Sequence, residues 1–221
     1  MRRLFFLICM IPVMFCYGQT DKDQLALAIN TAEEANNEQL KAYIWKRKSD
    51  VSIDGAVKLT TITEFSFDAD GKLQVKIVDA ESTVQQKRGI RGNMQEKAAE
   101  GKMDYVEKAL DLALAYTFMT KGQLIDFIAK AEVSEQNGLI EATAENVYVK
   151  GDKLTILVDA ATHLYLNKKF TSLVGTDAID GEINYEKFSS GVNHGSTTVL
   201  NMPAQNMKID AQNQDYSQRV Q

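Results

Sequence analysis

The sequence predicts an α+β protein in which a curved antiparallel sheet forms an unclosed β-barrel with helices packed on its concave face. Three observations predict it. Helix-like and strand-like patterning is segregated along the chain: one helix, two to four strands, two or three helices, then five or six strands. From Gly138 onward, turn signals with hairpin chemistry recur about every 8–12 residues, the rhythm of an antiparallel meander. The middle helices are aromatic and apolar over much of their circumference, which predicts burial on more than one side and suits the hollow side of a curling sheet.

The first eighteen residues, MRRLFFLICMIPVMFCYG, stand apart from this pattern. Arg2 and Arg3 form a charged start, and the apolar run over 4–15 is shorter than the roughly 20 residues a membrane span needs. Cys16 and Gly18 stand at the −3 and −1 positions of a cut before Gln19. This layout predicts a cleavable signal peptide over 1–18 and an exported mature chain, 19–221. Both cysteines, Cys9 and Cys16, fall inside the leader, so the mature chain is expected to lack cysteine and disulfides. Its 203 residues suit a single domain, since Pro203 is the one proline left and no Ser/Gly/Pro-rich tract divides it. Of 25 basic residues, the loss of Arg2 and Arg3 leaves 23 against 30 acidic ones, a net charge of −7. That balance argues against a nucleic-acid partner, which requires a positive field along the phosphates. No transmembrane segment is expected in the mature chain.

Residues 21–42 read as a helix, with Asp21 or Asp23 as cap and Leu25, Ala28, Ile29, Ala32 and Ala35 at helical spacing. From Tyr43 the period becomes two. Tyr43, Trp45, Arg47 and Ser49 share one face, and Asp54-Gly55 marks a turn or bulge. Strand-like runs over 60–67 and 73–78 are joined by Asp68-Ala69-Asp70-Gly71, a hairpin signal. A polar lead-in over 94–102 precedes an apolar helical stripe over 103–118, which Lys121-Gly122 breaks before a further helix containing Leu124, Ile125, Phe127 and Ile128. The closing strands are expected over 139–150, 153–158, 164–173, 179–188, 197–202 and 207–209, with 212–221 as a polar tail.

Little in the sequence points to chemistry. His163 and His194, the only histidines, fall in expected turns and read as solvated; HxH, HExxH and CxxC spacings are missing, so no metal is expected. No GxSxG elbow is present, and no enzyme or cofactor is expected. Asp68, Asp70 and Gly71 resemble the start of a calcium loop, but Lys72 and Leu73 stand where further ligands belong, and the segment reads as a turn. Lys87, Arg88 and Arg91, spaced by Gly89 and Gly92 before an expected helix start, form the densest basic cluster. They are the candidate site for an anionic headgroup, against the plainer reading of a solvated loop.

Several stretches are similar to the LolA-like superfamily of periplasmic lipoprotein carriers and related lipid-binding proteins. They are YIWKRKSDVSIDGAV, DADGK, KRGIRGN before the helices, and the closing run VDAATHLYLNKKFTS, GEINYEKF and VLNMPAQNMKI. The likeness spans most of 40–210 and is greatest to an uncharacterised bacterial branch of that superfamily. It implies a periplasmic, non-enzymatic carrier or sensor that binds an acyl chain or a lipoprotein's lipid anchor in an apolar cavity beneath the helices. The residues expected to line the cavity are Trp45, Phe65, Phe67, Leu110, Leu114, Phe118, Phe127 and Ile128. Ordinary core packing explains the same spacing. The alternative is therefore an envelope interaction module with a filled core and no small ligand, docking a protein partner through its convex face, an edge strand or exposed charged strands such as Asn167-Lys168-Lys169.

Overall fold

The computed structural model describes residues 15–16, 19–68, 70, 72–82 and 90–219, and within those bounds the side chains from 21 to 81 and from 104 to 219. A two-residue strand β1 (Phe15–Cys16) leads into helix α1 (Gln19–Leu40), followed by β2 (Tyr43–Ile53), β3 (Ala56–Phe67) and β4 (Leu73–Ser82). Helices α2 (Ile90–Thr117) and α3 (Lys121–Lys130) come next. The chain then runs through β5 (Glu132–Gln136), β6 (Leu139–Glu145), β7 (Lys153–Asp159), β8 (Tyr165–Val174), β9 (Asp177–Lys187) and β10 (Asn193–Met202). A single 3-10 turn, Pro203–Gln205, joins β10 to the last strand, β11 (Met207–Gln218).

All the strands form one antiparallel sheet in the order β1-β5-β6-β7-β8-β9-β10-β11-β2-β3-β4. The two ends of that order, β1 and β4, do not pair with each other, so the curved sheet stays unclosed and the α+β class expected from the sequence holds. The topology has one long jump. After β4 at one edge, α2 and α3 carry the chain to β5 near the opposite edge, and α2 alone, at 28 residues, is about 42 Å long. The helices pack on β6, β8, β9 and β10, with α1 against α3.

The hairpins follow their turn residues. Asp54-Gly55 and Asn137-Gly138 have positive φ at both positions (52° and 75°; 54° and 76°), the left-handed pair that matches strand twist in a two-residue turn. Thr120 caps α3 through a capping box with Gln123, the hydroxyl accepting from the Gln123 N–H at 3.3 Å and the Gln123 carboxamide accepting from the Thr120 N–H at 2.8 Å.

Four expectations change. The polar tail expected over 212–221 is instead the second half of β11, paired with β2 from Met207↔Ile53 to Gln218↔Tyr43. Its inward side carries Asn213, which accepts from Arg47, and Tyr216, which stacks on Trp45, in place of an aliphatic run. The polar lead-in over 94–102 is part of one continuous helix. Instead of burying several sides, α2 buries Ala109, Ala113 and Tyr116 while Leu110, Leu114 and Phe118 are 40%, 39% and 55% exposed. A short strand, β5, also follows α3 before Gly138. Of the expected leader, residues 15 and 16 alone are described, and they pair with Glu135 and Ser134 of β5.

The core lies between the helices and the β6–β11 part of the concave face. Ile29, Leu124, Phe127 and Ile128 from the helices meet Leu154, Ile156, Ile179, Ile183 and Leu200 from the sheet, each no more than 2% exposed. At Gly181, a side chain would stand 2.1 Å from Phe170 Cζ on the facing position of β8, so the Phe170 ring occupies the space that glycine leaves.

Candidate ligand-binding face

The concave face is covered over only part of its width. Strand alternation and register place Ile53, Val51, Ser49, Arg47, Trp45 and Tyr43 of β2 on the same side as the buried Met207, Ile209 and Ala211 of β11. Across the next two ladders, Phe65, Thr63, Thr61 and Leu59 of β3, and Val75, Ile77 and Ala80 of β4, continue that side. Described side chains there are mostly half-buried or exposed, Val75 at 58% and Ile77 at 67%. The β2–β4 wing thus presents exposed aliphatic side chains on β4 beside the buried rings of Trp45 (5%) and Phe65 (7%).

An aromatic cluster marks the end of this wing. The Trp45 ring stacks on Phe65 (5.5 Å between centroids, 8° between planes) and on Tyr216 (5.7 Å, 16°), with Phe67 tilted across it at 5.9 Å. The series continues through Tyr216 to Phe188 and His194, which stack 4.0 Å apart, and to Tyr43. Such contacts hold large side chains in fixed orientations without filling the wing. His194 is therefore no solvated turn residue. It lies on β10, is 8% exposed, and burial lowers its pKa. His163 does sit in a turn, at φ 58°.

Arg47 stands where the covered and open parts of the face meet. Its Nε donates to Asn213 Oδ1 at 2.8 Å, and its guanidinium lies over the Phe65 ring at 4.8 Å. Among the described residues it forms no ion pair. Burial pushes its pKa below the ordinary value, against the pull of the neighbouring Tyr216 and Tyr185 phenols. One step along the same face, Trp45 is 5% exposed and its Nε1–H is buried without an acceptor.

The other buried charges are provided for. Lys168 of β8, expected from the sequence to be exposed, is 1% exposed. Its Nζ donates to the α2 carbonyls of Thr117 (2.9 Å) and Tyr116 (3.4 Å) and sits 3.8 Å above the Tyr165 ring. Burial lowers its pKa to about 8, partly offset by the charge of Glu33 on α1. Burial raises the Glu33 carboxyl in turn, opposed by Lys168 and by the Tyr165 N–H. Asp152 accepts from the backbone N–H groups of Val147 (2.6 Å), Tyr148 (2.8 Å) and Val149 (3.0 Å) and from the Tyr116 hydroxyl (2.6 Å). Burial alone would raise its carboxyl, but these donors outweigh it and bring the pKa below the usual value. Tyr148 adds a bond to the Ala115 carbonyl at 2.9 Å, so the C-terminal turn of α2 is held at three points.

The side chains expected to line one cavity lie in three places. Trp45, Phe65 and Phe67 come together in the wing cluster. Leu110 and Leu114 on α2 and Phe118 just past its end are exposed. Phe127 and Ile128 are packed in the core, 1% and 0% exposed. Of the expected basic cluster, Lys87 and Arg88 lie outside the described residues, and Arg91 is described only as backbone of α2. The residues that sequence reading passes over are Asn213 and Tyr216, hidden in the supposed tail, and the Arg47–Asn213 bond. The strand alternation of 43–49 does place Arg47 on the Trp45 side.

Two surface depressions, of about 420 and 530 Å³, open on the sheet; the first is lined by Lys153, Thr155, Lys169, Asp180 and Glu182 among others, and the second by Ser52, Asn206, Lys208 and Asp210 among others. Both linings mix these polar side chains with apolar ones, Phe170 and Val199 in the first and Met202, Pro203 and Met207 in the second. Among the described residues no group of three or more His, Cys, Asp or Glu is placed to hold a metal. No described helix is long and apolar enough to cross a membrane.

No family model matches the chain, and no curated protein does. Three solved structures are similar to it in fold. A DUF1329 family protein from Desulfovibrio piger is 10% identical, with 91% of this chain and 93% of that one covered at a TM-score of 0.41. A LolA superfamily protein from Nitrosomonas europaea is 10% identical over 87% of this chain and 94% of its own, at 0.39. An outer membrane lipoprotein-sorting protein domain from Vibrio parahaemolyticus is 11% identical over 90% and 94%, at 0.42.

Proposed function

We propose that this protein is a non-enzymatic periplasmic carrier or sensor that shelters an apolar ligand, an acyl chain or a lipoprotein's lipid anchor, against the uncovered β2–β4 part of its concave face. The observation that carries this reading is the uneven covering of one continuous face. The β6–β11 part buries its side chains under three helices, while Val75 and Ile77 on the same side remain 58% and 67% exposed beside Trp45 and Phe65. An apolar guest laid there gains about 0.8 kcal/mol per methylene removed from water, so a long chain offsets the cost of its own ordering. The ligand thus rests on the wing and not in the packed volume around Phe127 and Ile128.

Native mass spectrometry of the purified full chain, followed by extraction and mass analysis of what leaves it, tests the proposal. A copurifying lipid, or saturable uptake of a fluorescent fatty acid, is the expected result. A chain that is empty and ignores such probes contradicts it.

A second reading has one observation in its favour. β4 is an edge strand ten residues long, with Val75, Ile77 and Val78 all exposed. Such an edge is a template for pairing with a strand of an envelope protein. Binding of a partner chain with no lipid uptake would favour it.

A further inference from the structure

We infer that the polar end of the ligand is a carboxylate, held by the Arg47 guanidinium and the Trp45 indole N–H, which makes free long-chain fatty acids the preferred class. The inference rests on the carrier reading above and narrows it.

Its ground is a contrast in how the protein treats buried polar groups. Lys168 is given two carbonyls and the charge of Glu33, and Asp152 four donors. Among the described residues, the half-buried Arg47 is given one neutral amide oxygen, the face of a phenyl ring and the neighbouring Tyr216 and Tyr185 phenols, and no carboxylate. Its remaining N–H groups form a planar fork, the geometry that matches two carboxylate oxygens. Beside it on the same face, Trp45 keeps a buried donor with no acceptor, an arrangement native proteins avoid unless something else supplies one. Both side chains bear on the same ring: Trp45 stacks on Phe65 and the guanidinium lies over it. A cation with no ion pair among the described residues and one orphaned N–H, on one aromatic platform, fit an acceptor with a single negative charge.

The surroundings fix the rest of the ligand. On the Arg47 row, Thr63 and Asn213 beside the guanidinium are polar and Ile77 at the sheet edge is apolar, whereas the next row toward the end of the wing holds Phe65 and Val75, with Phe67 and Leu73 beyond. A carboxylate at Arg47 therefore directs its hydrocarbon across Phe65 and Val75 toward Phe67. Phe67 is partly exposed and tilted 50° to the indole, so the apolar path ends on a ring open to solvent.

Calorimetric titration of the full chain with palmitate and with hexadecanol, repeated on Arg47→Met and Trp45→Phe, tests the inference. In the wild type, palmitate is expected to bind at least about tenfold more tightly than the alcohol, and Arg47→Met to abolish that preference while leaving hexadecanol affinity within about twofold. Trp45→Phe should lower palmitate affinity by a few-fold without touching that of the alcohol. Equal binding of acid and alcohol by the wild type overturns the carboxylate site and leaves the carrier reading standing. So does undiminished palmitate binding by a folded Arg47→Met. Failure of both ligands to bind the wild type overturns the carrier reading, and this inference with it. Should Arg47→Met not fold, the wild-type comparison of acid with alcohol decides alone.

Discussion

Lys168 Nζ of β8 lies 2.9 Å from the carbonyl oxygen of Thr117, the last residue of α2. A cation thus meets the negative end of a helix inside the core, where the four final carbonyls of any helix lack intrahelical donors. Together with Tyr116 on Asp152 and Tyr148 on Ala115, it pins one end of the helix that crosses the concave face.

Lys168→Met should therefore lower stability by at least about 2 kcal/mol, because it strands carbonyls and removes the cation facing Glu33. Adding Glu33→Gln should recover part of that loss, a non-additivity readable in a urea-denaturation cycle. The pH dependence has a definite sign. With a folded pKa of about 8 against an ordinary 10.5, the unfolded chain binds the extra proton between those values. The Lys168 contribution to stability thus rises with pH across that window, and the rise should be missing from Lys168→Met.

Asp152→Ala leaves three backbone N–H groups without their acceptor and the Tyr116 hydroxyl with Ser172 Oγ alone, and about 3 kcal/mol of stability should go with it. The folded carboxyl is held below 3.8, so the stability it adds is complete above that pH and is lost as the pH falls through the folded value. Acid titration of the variant should show less of that loss than the wild type. A change below about 0.5 kcal/mol in denaturant would contradict the anchoring role.

Gly181→Ala drives a methyl group into the ring of Phe170 and should cost about 1–3 kcal/mol by overpacking. Combining it with Phe170→Leu should restore part of the loss, since the smaller side chain vacates the same space. Thermal melts of the two single variants and the double variant decide this.

Val75→Glu with Ile77→Glu changes two side chains that are already more than half exposed, so the melting temperature should hardly move. Fatty-acid affinity should nevertheless fall about tenfold or more, because the charges stand where the hydrocarbon is proposed to lie. Unchanged affinity would remove the wing from the site.

The α+β class, the helices and most hairpins are legible because the chain uses strong local signals: Asp-Gly turns, apolar residues at helical spacing, and alternating runs such as 153–158. What escaped were features set by tertiary surroundings. β11 runs on to Gln218 with polar residues because its inward Asn213 serves Arg47 rather than a core. Residue type alone gives Lys168 to solvent, yet it shares a side of β8 with Phe170 and Ser172, and that parity was the available signal. His194 looked like a turn residue until the Phe188 and Tyr216 rings closed on it. The packing of Phe127 and the openness of Phe118 differ although both are aromatic and close in sequence, since only the fold decides which side of a helix meets the sheet.

The open wing stands or falls most directly on the emission of Trp45, the single tryptophan of the chain. Titrating the protein with palmitate should shift and saturate that emission at a stoichiometry of about one, as hydrocarbon settles on Phe65 and the indole N–H gains its acceptor. Emission that stays constant while an independent assay reports bound fatty acid would place the ligand elsewhere and contradict the account.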